Sequence, residues 1–106
     1  MLFRLTKRVF SQTVNVKPLI TENLGSGIFM FSLNRVAARN ALSVQLVEDL
    51  QDAIRDNVDQ ARCVIVRSAV PGMFCAGADL KERKSMSEEE AREFVRELRA
   101  TFNMLD

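Results

Sequence analysis

Gly27-Ile28-Phe29-Met30-Phe31-Ser32-Leu33 and Arg62-Cys63-Val64-Ile65-Val66-Arg67 are short, bulky apolar runs, and between them residues 46, 47, 50, 53, 54 and 58 are apolar at helical spacing. Runs of this length, rich in β-branched or aromatic residues and bounded by glycine or polar residues, suit strands buried on at least one face. The stretch between them predicts an amphipathic helix beginning near Asn40 to Ser43, its outward side carrying Glu48, Asp49, Asp52, Asp56 and Asp59 as a solvated acidic face. Strand, helix and strand in that order imply two parallel strands joined by a crossover helix, an α/β pattern.

Working outward, Gly25-Ser26-Gly27 lacks the third glycine and the following helix of a dinucleotide-binding loop and reads as a turn. Asn34 to Ser43 is a polar loop with two arginines, and Ala69 to Phe74 is a loop whose Pro71-Gly72 step marks a turn. Cys75-Ala76-Gly77-Ala78-Asp79-Leu80 and a charged stretch follow, and then Ser87-Glu88-Glu89-Glu90 forms a capping box. It opens a helix that places Ala91, Phe94, Val95, Leu98, Phe102 and Leu105 on one face. That helix carries no glycine, asparagine or proline stop, and the sequence closes on the acid Asp106, where the helix dipole favours cations. Two strands and two helices also leave apolar faces short of partners. The expectation is a domain cut short.

The 106 residues suffice for one domain at most, and 47% hydrophobic with 27% charged is ordinary globular composition. No stretch approaches the roughly 18 consecutive apolar residues of a helical membrane span. Without histidine the chain cannot assemble a Ser-His-Asp triad, a Cys-His pair or a histidine-bearing zinc site. Cys63 and Cys75 fit neither a CxxC pair nor a disulfide framework, and both are expected reduced and mostly buried. The net charge of +1 conceals a split: residues 1–20 hold four basic residues and no acid, and the remaining 86 hold 11 basic against 14 acidic. Arg4, Lys7 and Arg8 share helical spacing, with Leu2, Leu5 and Val9 on another side. Residues 1–14 therefore read as a mitochondrial transit peptide, the bland alternative being a frayed basic tail.

The string Met73-Phe74-Cys75-Ala76-Gly77-Ala78-Asp79-Leu80-Lys81-Glu82-Arg83 resembles the F-C-A-G-A-D-L signature of the crotonase (enoyl-CoA hydratase/isomerase) superfamily. Asn34-Arg35 through Asn40-Ala41-Leu42 resembles its N-R-P-x-x-x-N-A-L loop, in the right order and with the family's helix and strand between them. The C-A-G-A-D-L-K-E-R ending, the preceding Val-Pro-Gly and the following Met-Ser are most similar to the branch of methylglutaconyl-CoA hydratases (AU-binding hydratases) and of enoyl-CoA hydratase domain-containing protein 2. The resemblance implies a partial crotonase (ClpP-like) fold of ββα-type units over residues 15–106. It also implies a mechanism in which a thioester carbonyl becomes an enolate-like oxyanion held by two backbone N–H groups, one of them falling on Ala78. By the same resemblance Ala76 lies along the CoA adenine and pantetheine, Gly77 and Leu80 belong to the CoA-binding loop, and Asp79 helps fix that loop. Arg39 is placed to meet CoA phosphates, although a solvent-facing loop arginine needs no ligand.

Departures qualify these implications. Val36 stands where the family has a proline, so the loop is less constrained. The lysines that the AU-binding branch presents to RNA are matched by Val44, Glu48 and Asp52, and acids repel phosphate. RNA is not an expected partner, nor is a membrane. The family's second oxyanion donor and its acid/base glutamates fall beyond these 106 residues, and Glu82 and Glu88 to Glu90 are expected to be solvated, not drafted in their place. No metal is expected, and no cofactor other than the CoA of the substrate. The expectation is thus the N-terminal part of a mitochondrial-matrix enoyl-CoA hydratase-like protein acting on acyl-CoA thioesters in fatty-acid or branched-chain amino-acid catabolism, a trimer or hexamer when full-length, with this stretch alone inactive. A reading of a different class is a non-catalytic short product that docks on full-length crotonase subunits.

Overall fold

A computed structural model of the chain describes residues 17–105, so the basic segment 1–14 lies outside the described residues. Three strands form one sheet in the order β1 (Leu19–Gly25), β2 (Ile28–Leu33), β3 (Cys63–Ser68). The strand–helix–strand unit takes the expected form: β2 and β3 pair in parallel from Ile28 opposite Cys63 to Leu33 opposite Ser68, and helix α1 (Val44–Asn57) crosses between them. Ser43 caps α1 by accepting from the N–H of Leu46. Its inward residues Leu46, Val47, Leu50, Ala53 and Ile54 bury against Phe29, Phe31 and Leu33 of β2. Alternation along β2 sends these large side chains to one face, which is why this strand anchors the core.

The two-strand expectation is incomplete. Leu19–Gly25 pairs antiparallel with β2 across the Gly25-Ser26-Gly27 turn, where Ser26 (φ 56°) and Gly27 (φ 80°) are both left-handed. Two consecutive left-handed residues make the tight hairpin whose twist matches that of the flanking strands. β1 escapes a hydrophobic reading because Leu19 alone of its residues is buried. The charged run after Asp79 is also a helix, α2 (Leu80–Ser85), which buries no residue and is capped by Asp79. Helix α3 (Glu88–Met104) starts on the expected Ser87/Glu90 capping box. It buries Phe94 and Thr101, while Val95 and Phe102 of the expected apolar face stay exposed. Gln51 of α1 donates to Thr101 Oγ1 at 2.9 Å, joining the two helices.

Cys63 is exposed and not buried, because β3 is the outer strand and its residues 63, 65 and 67 face outward; Cys75 is half-buried. Val58, read as part of the helical apolar stripe, lies just past the end of α1 and is exposed. Among the described residues no helix is long and apolar enough to cross a membrane, and no cluster of three or more histidine, cysteine or acidic residues could hold a metal ion.

Gly27→Ala tests the hairpin. A Cβ at Gly27 would lie 2.8 Å from Arg62 Cγ, and the left-handed backbone adds its own strain. Denaturant unfolding should show a loss of about 1–2 kcal/mol, whereas Ser26→Gly in the same turn should be neutral or stabilising.

Candidate functional site

Two loops leave the carboxyl ends of the parallel strands: residues 34–43 after β2 and residues 69–79 after β3. In open α/β sheets, ligands bind at that edge. The loops are joined by a single parallel bridge between Leu42 and Ala78. Leu42 N–H donates to Gly77 O at 2.7 Å, and Asp79 N–H donates to Leu42 O at 3.1 Å. Upstream, Ala76 N–H donates to Arg39 O at 3.1 Å. In extended backbone, successive N–H groups point to opposite sides, so with Gly77 O and Asp79 N–H turned toward Leu42 the N–H of Ala78 is turned away. It has no acceptor among the described residues. Gly77, at φ 94°, makes the bend that a side-chain-bearing residue would resist.

Beside this N–H lies an open groove of about 440 Å³ lined by Ala37, Ala38, Ala41, Ala76 and Ala78, with Arg35, Asp79, Leu80 and Lys81 completing its walls. Small side chains let a ligand approach the backbone closely. Of the residues singled out from the sequence, Ala76, Ala78, Asp79 and Leu80 line this groove and Gly77 lies between two of them. Leu80 is 79% exposed. Arg39 is exposed and lies outside the lining; it contributes a left-handed turn (φ 55°) and its carbonyl.

Asp79 does more than close a loop. Its Oδ1 accepts from the N–H groups of Lys81 (3.0 Å) and Glu82 (3.3 Å), and its Oδ2 accepts from Arg35 Nη1 (3.1 Å). Arg35 Nη1 also donates to Ala41 O at 2.6 Å. One carboxylate thus caps α2 and ties it to the loop after β2. Arg35 and Lys81 carried no role in the sequence reading, and the signal for Arg35 was weak because its partner is 44 positions away. Glu82 also departs from expectation: it is half-buried, and its Oε1 accepts from Val44 N–H at 2.8 Å, closing the start of α1. Asn40, quoted in the family motif but given no role of its own, is fully buried with φ 59°. Its Oδ1 accepts from Arg35 N–H, and its Nδ2 donates to Ser68 Oγ and to Phe74 O, each at 2.8 Å.

The Glu82 N–H, followed by Arg35 and the Lys81 N–H, holds the Asp79 carboxyl below its ordinary value, against the opposing effect of burial. Its contribution to stability is therefore complete above the ordinary aspartate pKa of about 4 and is lost as pH falls through the depressed folded-state value. The unfolding free energy of the native chain should exceed that of Asp79→Asn at neutral pH. The gap should close as the pH is lowered below about 4, where the native residue becomes protonated too; a pH-independent gap would contradict the assignment.

Residues 23–105 match the family model for enoyl-CoA hydratase/isomerase. The chain is 43% identical over 93 residues to human methylglutaconyl-CoA hydratase, mitochondrial, a match covering 85% of this chain and 26% of that protein. It is 44% identical over 85 residues to the probable enoyl-CoA hydratase 2, mitochondrial, of Arabidopsis thaliana, covering 76% of this chain and 28% of the relative. The fold superposes on the crystal structure of enoyl-CoA hydratase from Bacillus anthracis with a TM-score of 0.76 at 37% identity, over 83% of this chain and 35% of that one. The chain spans about a third or less of the length of these relatives. With the two loop signatures bridged at Leu42 and Ala78 in a partial crotonase fold, the chain belongs to the enoyl-CoA hydratase/isomerase family, of which it represents the N-terminal part.

Proposed function

We propose that these residues supply the first half of the thioester site of an enoyl-CoA hydratase-type protein, whose whole form adds water across a 2-enoyl-CoA. The observation that carries this reading is the Ala78 N–H, without an acceptor among the described residues and held by the Leu42 bridge beside an alanine-lined groove. When the oxygen of water bonds to the β-carbon of an enoyl thioester and gives up a proton to a base, the C=C pair shifts to form a bond between the α-carbon and the carbonyl carbon, and the C=O pair moves onto the oxygen until the α-carbon is protonated. A fixed N–H at that oxygen stabilises the developing charge without reorganisation, an effect worth about two to three orders of magnitude in rate per donor. The donor is backbone, so the geometry of residues 76–79, not the Ala78 side chain, carries the chemistry.

A hydratase also needs a carboxylate that moves a proton at the substrate. The carboxylates nearest the groove are engaged otherwise: Asp79 with Arg35 and the start of α2, Glu82 with Val44. This supports the reading that residues 1–106 bind an enoyl-CoA but do not turn it over, the second oxyanion donor and the acid/base glutamates being those that the family resemblance places further on. The substrate's own CoA is the only cofactor in this scheme. Arg39 and Lys81 are the cations proposed to meet its phosphates. In keeping with the mitochondrial relatives, we place the protein in the matrix, with residues 1–14 as its leader and the full-length form a trimer or hexamer. Glu48 and Asp52 on α1 argue against RNA as a ligand.

The outward residues of β3, with Ile65 exposed, favour a second reading in which the short chain is non-catalytic and docks on full-length crotonase subunits. Co-elution of the chain with a full-length hydratase in size-exclusion chromatography would support it. For the main reading, calorimetric titration should show crotonyl-CoA binding more tightly than free CoA, with no hydration above the uncatalysed rate. Arg39→Gly should weaken binding of both ligands by several-fold while leaving stability within about 1 kcal/mol, because glycine accepts the left-handed backbone at that position. Hydration by the 106-residue chain, or unchanged affinity in Arg39→Gly, would contradict these assignments.

A further inference from the structure

The geometry points to Asn40 as the positioning residue that aims the Ala78 N–H, an inference that rests on Ala78 being the oxyanion donor. Asn40 does not line the groove, and none of its hydrogen bonds is to Ala78. It is 0% exposed and sits in a left-handed conformation that costs a non-glycine residue energy, so its surroundings must hold it there. Five hydrogen bonds hold it, three of the side chain and two of the backbone. Oδ1 accepts from Arg35 N–H, while Asn40 N–H returns to Arg35 O at 2.9 Å, closing the 35–40 loop on itself. Nδ2 reaches Ser68 Oγ at the end of β3 and Phe74 O in the second loop. Its carbonyl accepts from Cys75 Sγ at 3.2 Å, and the same sulfur accepts from Gly77 N–H at 3.4 Å.

The Nδ2 bonds join the first loop to the end of β3 and to the second loop, and the Leu42–Ala78 bridge begins two residues further on from Asn40. The amide orientation is set by its partners, since Oδ1 faces a donor and Nδ2 faces two oxygens; the reverse orientation would oppose like groups. Residues 74–76 are thereby tied to the first loop at Arg39 and Asn40: Phe74 O to the Asn40 amide, Cys75 Sγ to the Asn40 carbonyl and Ala76 N–H to the Arg39 carbonyl. Gly77 and Ala78 have no helix or strand of their own to fix them. To the Leu42 bridge, the Ala76 N–H bond to Arg39 O and the Asp79 cap, the Asn40 amide adds the tie that runs from the end of β3 to Phe74, at the start of the segment that carries the Ala78 N–H.

Asn40→Gly provides the test, because glycine keeps the left-handed backbone while deleting all three side-chain bonds. Asn40→Asp keeps an acceptor for Arg35 N–H but removes both donors. In ¹⁵N-labelled protein, the Leu42 and Asp79 amides should exchange with solvent about tenfold faster in both variants, as loss of a buried hydrogen-bond network predicts, while the amides of β2 keep their protection. The Ala78 amide resonance, which should move on addition of crotonyl-CoA but not of free CoA in the native chain, should no longer respond. Native exchange at Leu42 and Asp79 with an intact Ala78 response in Asn40→Gly would overturn the proposal. Loss of β2 protection in both variants would overturn it as well, making Asn40 a residue of general folding. If the native Ala78 amide ignores crotonyl-CoA, the oxyanion reading fails by itself, and exchange at Leu42 and Asp79 still decides whether Asn40 sets the bridge.

Discussion

The candidate site depends on one short piece of backbone pairing, the parallel bridge between Leu42 and Ala78. It commits the Gly77 carbonyl and the Asp79 N–H to Leu42, and by the alternation of extended chain it frees the N–H between them. Leu42 is itself buried in the core against β2 and α1, so the free N–H is referenced to the rigid part of the molecule and not to a surface loop. The groove then follows from residue size, since five alanines, Ala78 among them, line it.

Charge reinforces this geometry. Asp79 pairs with Arg35 and caps α2, which leaves Lys81 as the cation in the groove wall outside that pair, with Arg39 on the same loop side but outside the lining. Glu48, Asp52 and Asp56 along α1 present the opposite sign. The field is thus negative along the helix and more positive at the loops, a contrast that weakens with salt. Glu82 links the two regions by closing the first N–H of α1 from within α2, so that the short charged helix is held by its N-cap and by this bond and not by a buried face.

Much of the fold was legible because its central unit is written in hydrophobic periodicity: β2, α1 and β3 are long enough and apolar enough to declare themselves. The capping box at Ser87 is a local signal and was equally readable. β1 and α2 were not, for one physical reason: neither depends on a buried face. β1 is held by backbone pairing through a left-handed turn, and α2 by the Asp79 cap and the Glu82 bond to Val44. Cys63 was misjudged because an apolar run says that a strand is buried somewhere, not which of its two faces is covered. At the site, the string Cys75 to Leu80 located the groove by resemblance to a family signature. Arg35 and Asn40 stood in the second motif, but what they do there lay in contacts 44 and 34 positions away, which spacing along the chain does not reveal.

The central claim is that the Ala78 N–H meets the thioester oxygen. Its most direct test is the infrared carbonyl stretch of crotonyl-CoA, ¹³C-labelled at the thioester carbon, bound to the chain. A hydrogen bond polarising that carbonyl predicts a bound-state band displaced to lower frequency than in free crotonyl-CoA. A bound thioester whose carbonyl band is unmoved would show that the ligand lies elsewhere and would contradict the account.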